Sequence, residues 1–558
     1  MLVWLALAAV ACNSAPQNPG TSGSDLHTGT TVSQQESSRN RDAAAGQPRV
    51  GGHITVAIAE ETNSFTPFSG EWSVSAYIIA NAIYDPLVAM DRQGIAKPYL
   101  AESITPTGDL KRWTITMRPK ITFQNGEPLD ARAVKKNLDA AKTAPLTGQA
   151  LTAIDSVELV DDRSVAVNMN RPWATFPSSL AIQIGYMAAP AMLDDPAGAT
   201  AKPIGTGPFE FQDRQTDDFL KVRRNPNYWR TDAANQKLPY LEAVDFKIIT
   251  DSTASATAFQ AGDINAFLAL TPPALTAGQG YVRNGKAQII TNATAETDET
   301  VIAFNTTKPP FDDLLARQIM AYGIDQTALS NDAYSGVQPP AWGMFEEGSP
   351  YYISRQEAGY PDHDPNKAKA LAAEYEKKHG KPLQFTLLGG TSPPELLELQ
   401  AVQSQAKDFG VTIDVAGIES STQINRVIVT GDYQATLFPM WSAPTPDQGY
   451  IFLALPPNPG GISLNYTRYD DAEVRAAMDE FRATIDPKTR IDSFKKVQQA
   501  LAQHLQVVFS VHSRQGFIYE NDLFGFWATT FPSTEIPAFV PYPNSPFLTS
   551  VWRGDPKP

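Results

Sequence analysis

The chain has 558 residues, with 45 lysines and arginines against 60 aspartates and glutamates and a formal net charge of −15. A surface this acidic argues against sequence-independent nucleic-acid binding, which depends on clustered lysine and arginine. One compact core rarely extends over so many residues, so we expect two or three structural lobes. Cys12 is the single cysteine, which excludes an intrachain disulfide and a cluster of thiolate metal ligands.

The first 48 residues have the composition of a targeting segment followed by a linker. An apolar run at 2–11 ends in small residues before Cys12, which resembles a bacterial lipobox and predicts a signal peptide over 1–12 with diacylglyceryl attachment to Cys12. Ala9 stands where leucine is usual and no basic residue precedes the run, so the alternative is a chance cysteine near a disordered terminus. Residues 13–48 have almost no large apolar side chains, which predicts a flexible tether. No later apolar run approaches the roughly 20 residues of a membrane-spanning helix.

The spacing of apolar residues predicts the first elements of the body in chain order. Alternation over 53–58 indicates a half-buried strand, and helical spacing follows over 73–90. A second alternating strand is predicted at 113–118, and a helix at 128–141. Two short strands around an Asp-Asp pair make 157–167 a predicted hairpin.

The second half of the chain repeats this alternation of strands and helices. The predicted elements are a strand at 385–388, a helix at 394–409, a strand at 411–415 and a helix at 422–430. The last long helical pattern covers 471–504 and is broken at Asp486-Pro487. This order favours α/β lobes over a β-sandwich.

A series of short phrases gives the body a more specific identity. In chain order they are PYLAES at 98–103, ITFQNGEPL at 121–129, IGTGPF at 204–209, RNPNYW at 224–229, PYLE at 239–242, FQAGD at 259–263 and FNTTKPPF at 304–311. Each phrase alone is weak, but their shared order resembles the family 5 solute-binding proteins. These are the dipeptide-, oligopeptide- and nickel-binding components of ABC importers, and the resemblance extends over nearly the whole body.

The resemblance implies an α/β fold shaped as a two-lobed clamp, of the type II, cluster C periplasmic-binding-protein kind, with an extra subdomain in the N-terminal lobe. The implied boundaries are 49–93, 203–303 and 511–558 for lobe I, 94–202 for its inserted subdomain, and 304–510 for lobe II. Two strands near 301–305 and 512–517 would cross between the lobes as a hinge. Such a clamp closes over its ligand, and closure is favoured when the ligand contacts both lobes.

The segment after the first strand is the first candidate ligand site. The resemblance implies that the backbone around Glu61, Thr62 and Asn63 runs beside the ligand, where an extended peptide can add as a strand through main-chain hydrogen bonds. An ordinary strand-to-helix loop is the alternative. Trp72 is a candidate pocket wall, with a place in the core as its alternative, and Asn305 is a candidate polar residue at the hinge.

The loop at 438–450 is the second candidate site. The resemblance implies that a tryptophan of this loop packs on a peptide ligand, while an aspartate three residues later pairs with its α-amino group. Trp441 fits the first role, but Pro444 stands at the position of the aspartate. Because an isolated buried ammonium is costly, Asp447 is our candidate partner for it, with a plain turn residue as the alternative. Tyr450 completes the candidate set.

Motifs of catalysis and of metal binding are missing from the sequence. The six histidines include no helical metal pair, and neither H-E-x-x-H nor G-x-S-x-G occurs. Residues 280–287 approach a phosphate loop but are one residue short, with Ala287 where magnesium would need a hydroxyl. We therefore expect a protein that is not an enzyme and uses no cofactor or metal.

The leading hypothesis is a monomeric lipoprotein on the outer face of a bacterial cell membrane, anchored through Cys12. It would capture a short peptide or peptide-like molecule for the permease and ATPase subunits of an ABC importer, with no nucleic-acid partner. One alternative keeps the fold but binds a metal complex, a glycoconjugate or a lipid head group. The other is an envelope regulatory lipoprotein that has no importer.

Overall fold

Strands and helices alternate along the part of the chain that the structure describes. The computed structural model describes residues 41–554 except 63, 71, 92–93, 196–197, 199–201, 292–297, 442–445, 459–460, 535 and 540–544. Its strands are β1 (His53–Ile58), β2 (Val88–Met90), β3 (Ala96–Pro98), β4 (Ala101–Pro106), β5 (Arg112–Met117), β6 (Ile154–Leu159), β7 (Ser164–Met169), β8 (Phe209–Gln215), β9 (Phe219–Arg224), β10 (Ala243–Ile248), β11 (Ala266–Ala269), β12 (Ala287–Thr291), β13 (Asp298–Phe304), β14 (Gln384–Gly389), β15 (Thr412–Gly417), β16 (Ala435–Trp441), β17 (Val507–Ser513), β18 (Gly516–Glu520), β19 (Leu523–Phe524) and β20 (Trp552–Arg553).

The helices lie mostly between strands, with the longest in the second half of the chain. The α-helices are α1 (Val74–Ile83), α2 (Ala131–Thr143), α3 (Thr147–Ala150), α4 (Phe176–Ser179), α5 (Pro190–Asp194), α6 (Ser252–Ala261), α7 (Pro272–Arg283), α8 (Leu314–Gly323), α9 (Gln326–Tyr334), α10 (Arg355–Ala358), α11 (Pro365–His379), α12 (Pro393–Asp408), α13 (Ser420–Ile424), α14 (Ala472–Arg482) and α15 (Pro487–His504). Short 3₁₀ turns cover Gln183–Gly185 and Pro446–Gln448, and π-helical turns cover Asn425–Thr430 and Tyr450–Ala454.

The first large sheet has seven strands in the order β12-β18-β11-β1-β10-β9-β8. Its centre is β1, which pairs in parallel with both β10 and β11. The apolar side chains of Val56 and Ile58 on this strand are almost fully buried in the core that packs against the sheet. We call the part of the chain built around this sheet the first lobe.

The second large sheet has five strands in the order β15-β14-β16-β13-β17, and we call the part built around it the second lobe. A separate four-stranded sheet, β4-β5-β7-β6, forms with its helices what we call the small subdomain. Buried residues of this subdomain, such as Ile115 and Val167, belong to the same core cluster as Val56 of the first lobe. The core of the second lobe is a distinct cluster of residues from 301–509. The two-lobed α/β fold expected from the resemblance is thereby confirmed.

The chain passes between the two large sheets near the predicted hinge. Strand β17 ends in the second-lobe sheet at Ser513, and β18 begins in the first-lobe sheet at Gly516. The strand predicted across 512–517 is therefore two strands separated by a short break. The predicted lobe boundaries themselves remain predictions.

Most predicted elements agree with the structure, and the main error concerns the helix expected over 73–90. This helix ends at Ile83, and residues Val88–Met90 form a strand instead. The reason is Pro86, which lacks an N–H and forces extended backbone on the residue before it. The predicted break at Asp486-Pro487 is confirmed, because Asp486 caps α15 by accepting a hydrogen bond from Thr489 N at 2.8 Å.

The segment before the body is held on the first lobe. The guanidinium of Arg41 donates to Leu523 O at 2.6 Å and lies 4.6 Å from the ring centroid of Phe524. The carboxylate of Asp42 accepts a hydrogen bond from Gly525 N at 2.9 Å. Among the described residues, no helix combines the length and apolar character needed to cross a membrane.

Candidate functional site at the lobe contact

Glu61 lies directly after β1 and is paired within the first lobe. Its carboxylate accepts hydrogen bonds from Arg214 Nε at 2.7 Å and Arg214 Nη2 at 3.1 Å, and its side chain is 7% exposed. Arg214 belongs to β8, so the pair fixes the loop after the central strand to the sheet edge. The ligand contact predicted for Glu61 remains a prediction.

The rest of the first candidate segment is also tied together locally. The hydroxyl of Thr62 donates to Ser64 O at 2.8 Å, and the indole Nε1 of Trp72 donates to the same carbonyl at 3.2 Å. The Trp72 ring is half-buried and meets Tyr77 edge to face at 5.6 Å. Trp72 therefore packs on the first-lobe core while part of its ring stays accessible. Asn63 lies outside the described residues.

Asn305 is fully buried in the second lobe, just after β13. Its amide nitrogen donates to Gly431 O at 3.0 Å and Tyr433 O at 3.2 Å. Its amide oxygen accepts from the Thr307 hydroxyl at 2.7 Å and from Thr307 N at 3.2 Å. These bonds satisfy the side chain and fix the loop after β13, so its predicted contact with a ligand is untested.

The second candidate loop is described only in part. Trp441 ends β16, but its side chain and the residues 442–445, including Pro444, lie outside what the structure describes. The predictions for Trp441 and Pro444 therefore stay predictions. The described part resumes at the short turn Pro446–Gln448.

Asp447, in that turn, connects the second lobe to the small subdomain. Its buried carboxylate accepts hydrogen bonds from Arg482 Nε at 2.8 Å and Nη2 at 3.2 Å, both within the second lobe. From the small subdomain it accepts a hydrogen bond from Trp173 Nε1 at 3.2 Å and one from the Thr175 hydroxyl at 2.5 Å. The carboxylate proposed for a ligand amine is thus already surrounded by four donors of the protein.

Tyr450 lies beside the same ion pair. The Arg482 guanidinium is 3.7 Å from the centroid of the Tyr450 ring and 4.5 Å from that of Trp173. Arg171 approaches the Tyr450 ring at 5.3 Å, which adds a second cation to the cluster. Burial raises the pKa of Tyr450, with Asp479 also raising it, so the phenol is neutral. The structure therefore brings Asp447 and Tyr450 together around Arg482, whereas Glu61 and Asn305 form their hydrogen bonds with other residues.

Backbone groups extend the contact between the small subdomain and the second lobe. Ala174 N donates to Arg482 O at 2.6 Å. Gln149 of α3 donates through Nε2 to Ile462 O at 3.3 Å and accepts from Leu464 N at 3.1 Å. These bonds show that the small subdomain and the second lobe are in direct contact, which is the arrangement expected of a closed clamp.

A small cavity of about 60 Å³ lies at this contact. Its walls come from both sides and include Met90, Ala150, Trp173, Ser178, Ser179, Ile182, Ile184, Asp447, Gln448, Ile451 and Arg482. A much larger open cavity of about 1140 Å³ is walled by the first lobe and the small subdomain, around Arg118, Trp229 and Trp552. None of the described second-lobe residues lines it, so it does not lie between the two lobes. The smaller cavity is therefore the better candidate for the site of a clamp.

Within the described part of the chain, no cluster of three or more His, Cys, Asp or Glu side chains is placed to hold a metal ion. The polar groups at the contact are instead a guanidinium, a carboxylate, an indole and hydroxyls. Such groups bind by hydrogen bonding and charge, which suits reversible capture of a polar ligand.

Replacing Thr175 with valine should shift the protein away from its closed form. The change removes the hydroxyl that crosses to Asp447 while preserving the shape of the side chain. A hydrogen bond to a charged group contributes about 1.5–3 kcal/mol, so the ratio of closed to open molecules should fall by about tenfold or more. Small-angle X-ray scattering would register this as a larger radius of gyration.

Thr143→Val is the matched control, because the Thr143 hydroxyl is exposed and bonds only to carbonyls of its own helix. It should leave the radius unchanged. An equal radius for Thr175→Val and the unmodified protein would show that this hydrogen bond does not hold the lobes together.

The fold and the contact between its lobes define a solute-binding clamp. The family described as "Bacterial extracellular solute-binding proteins, family 5 Middle" matches residues 96–479, and the chain belongs to this family. The resemblance seen in the sequence phrases is thereby confirmed. The chain is a substrate-binding protein of ABC importers, and its relatives are solute-binding proteins rather than enzymes.

Individual relatives agree with this assignment. The glutathione-binding protein GsiB of Salmonella paratyphi A is 25% identical over 85% of this chain and 91% of its own length. Among solved structures, AgaA from A. tumefaciens R10 with agropinic acid has a TM-score of 0.77 at 21% identity, covering 91% of this chain and 99% of AgaA. The oligopeptide-binding protein AppA of Bacillus subtilis, with a nonapeptide, has a TM-score of 0.75 at 21% identity, covering 91% and 100%. At this identity the two structures establish the shared fold alone.

Trp173, Thr175 and Arg482 were missed by sequence reasoning. The available signal was Arg482, a charged residue that continues the buried stripe of α14 formed by Val474, Met478 and Phe481. A cation on such a stripe indicates a buried anionic partner.

Proposed function

We propose that the chain captures a short peptide or peptide-like molecule between its lobes and delivers it to the permease and ATPase subunits of an ABC importer. The observation that carries capture between the lobes is the contact at Asp447, whose carboxylate accepts hydrogen bonds from both sides of the clamp; the class of ligand is argued separately from the relatives. A ligand enclosed by two lobes favours the closed form in proportion to its contacts with both. The predicted lobe boundaries at 94–202 and 304–510 belong to the same proposal.

The relatives support a peptide-like ligand. GsiB is named as a glutathione-binding protein, and glutathione is a tripeptide. AppA was solved with a nonapeptide. In the proposed function, Glu61, Thr62 and Trp72 would line the approach on the first lobe, and Trp441 would contact the ligand from the second.

A ligand that is not a peptide is the second candidate. One observation favours it: the carboxylate of Asp447 is occupied by Arg482, Trp173 and Thr175, so it is not available as the partner of a peptide amine. Pro444 offers no carboxylate at the neighbouring position. AgaA, which was solved with agropinic acid, has the same fold.

Native mass spectrometry of protein purified from its own cells would decide between these candidates. We expect bound molecules whose fragmentation gives amino-acid residues, and their loss on partial unfolding. Consistent recovery of another compound, with peptides absent, would refute the peptide proposal. Recovery of peptides only with blocked N-termini would support peptide binding without amine recognition.

We also propose that the protein is exported and anchored through a lipid on Cys12, as a monomer. Cys12 lies outside the described residues, and the proposal rests on the lipobox-like sequence. The intact mass from the same preparation tests it. A chain that begins at Cys12 and carries the mass of acyl groups supports the anchor, whereas an unmodified Cys12 contradicts it.

A further inference from the structure

The guanidinium of Arg482 has one nitrogen that finds no partner in the described part of the chain. Nε and Nη2 donate to Asp447, but Nη1 is buried and has no hydrogen-bond partner among the described residues. The residue is 2% exposed. A buried donor without a partner costs free energy, and its presence in a folded protein indicates either water or a ligand that completes it.

Arg482 also lines the cavity between the small subdomain and the second lobe. The cavity measures about 60 Å³, several times the roughly 10–15 Å³ that a single water requires. It therefore has room for a group of a few heavy atoms. Ser178 and Ser179 of α4 line the opposite side and add hydroxyl groups to the wall.

The guanidinium is held rigidly, which suits recognition of a planar acceptor. It lies between the rings of Tyr450 at 3.7 Å and Trp173 at 4.5 Å, while Asp447 fixes one edge of the fork. A carboxylate matches the planar geometry of a guanidinium and makes charge-assisted hydrogen bonds to it. Little side-chain entropy remains to be lost on binding, so the arrangement is preorganised.

The groups that line the cavity favour an acceptor over a cation. Its charged lining residues among those described are Arg482 and Asp447, which form an ion pair with each other. The carboxylate of Asp447 already accepts hydrogen bonds from Arg482, Trp173 and Thr175, so an ammonium group would find it bonded. The group left over is the N–H donor at Nη1 of Arg482, which requires an acceptor.

We propose that Arg482 is the residue that recognises a carboxylate of the ligand, accepted into this cavity through hydrogen bonds from Nη1. The inference rests on the proposed function and adds to it the chemical class of the ligand group that the protein recognises. A ligand with a free carboxylate end would accept the hydrogen bonds that Arg482 Nη1 has to offer and would bring a negative charge to the guanidinium. A carboxamide would lack that negative charge. The ligand would thus be oriented with its anionic end towards α14.

The test varies the ligand, because the protein then remains unmodified. A synthetic mixture of di- to pentapeptides is prepared once with free C-terminal carboxylates and once with C-terminal carboxamides. Each mixture is incubated with the full-length protein, and retained peptides are quantified by native mass spectrometry. We expect the carboxylate mixture to be retained about tenfold or more above the carboxamide mixture, as for other charge-assisted hydrogen bonds.

Two variants test whether a preference for carboxylate peptides depends on Arg482. Arg482→Lys retains a positive charge near Asp447 but loses the planar fork, and should reduce the preference below about threefold. Its melting temperature is measured to confirm that it folds. Arg475→Lys, at a partly buried position of the same helix that does not line the cavity, is the control and should retain the full preference.

The possible outcomes distinguish a failure of this inference from a failure of the proposed function. Equal retention of both mixtures would overturn the role of the carboxylate while leaving peptide capture intact, and the cavity would then hold water only. A preference that survives in a folded Arg482→Lys protein would overturn the assignment to Arg482. Failure to retain either mixture would refute the peptide function itself, and the inference with it.

Discussion

Replacing Arg482 with alanine is expected to lower the free energy of unfolding by about 3–5 kcal/mol, because it leaves the carboxylate of Asp447 buried without its cation. Both side chains of this pair are less than 10% exposed. The desolvation of Asp447 is offset in the native protein by Arg482 together with Trp173 and Thr175. Unfolding by urea, followed by circular dichroism, would measure the change.

Two further variants make this prediction specific. Arg475→Ala, in the same helix, removes a partly exposed ion pair with Asp470 and a hydrogen bond to Ala454 O, and should cost about 1–2 kcal/mol. Combining Arg482→Met with Asp447→Asn removes both charges and should recover most of the stability that Arg482→Ala loses. If Arg482→Ala proved no more harmful than Arg475→Ala, the pair would not be a determinant of the second-lobe core.

Sequence reasoning reached much of the fold because the phrases and periodicities are local. Strand 53–58 was predicted from alternation and is the centre of the seven-stranded sheet. The hairpin at 157–167 is formed by β6 and β7, and the helix predicted to begin near 128 begins at Ala131, after the cap Asp130. Pro86 favours an end to the first helix, which stops at Ile83, but the apolar pattern beyond the proline also fits a continuing helix.

The candidate site was harder to predict, because its members are far apart in sequence. Trp173 and Asp447 are separated by 274 positions, and no periodicity connects them. The acidic character of Asp447 was visible in the sequence, but its occupation by Arg482 was not. Sequence resemblance could therefore suggest a loop, whereas only the three-dimensional contact shows which charges are already paired.

The second large effect concerns a buried carboxyl in the second lobe. Glu398 of α12 is fully buried and accepts hydrogen bonds from the hydroxyls of Tyr334 and Ser510. The pKa of Glu398 is raised from 4.5 to about 7, chiefly because the carboxyl is buried; the hydroxyls of Ser510 and Tyr334 lower it, and the charge of Glu395 raises it. Neither hydroxyl is a cation, so the protonated form is favoured in the folded protein below about pH 7.

The pH dependence follows from this raised pKa. Between about pH 4.5 and about pH 7 the folded protein binds a proton at Glu398 that the unfolded chain has released, so stability falls as pH rises through this window. Over this interval the free energy of unfolding should fall by about 3 kcal/mol. Below it both states are protonated, and above it both are ionised, so the contribution is constant on either side.

Replacing Glu398 with glutamine should remove this slope, because the amide is neutral at every pH and can still bond to both hydroxyls. Urea unfolding at pH 5 and pH 8 is the measurement, and the variant should be more stable than the unmodified protein at pH 8, by about 3 kcal/mol. Asp85, whose buried pKa is raised to about 6, contributes equally to both proteins and cancels in the comparison. Glu395→Gln is the control and should keep most of the slope, since it removes only a neighbouring charge. A slope that persists unchanged in Glu398→Gln would place the responsible proton elsewhere and would mean that the carboxyl of Glu398 is ionised in the folded protein.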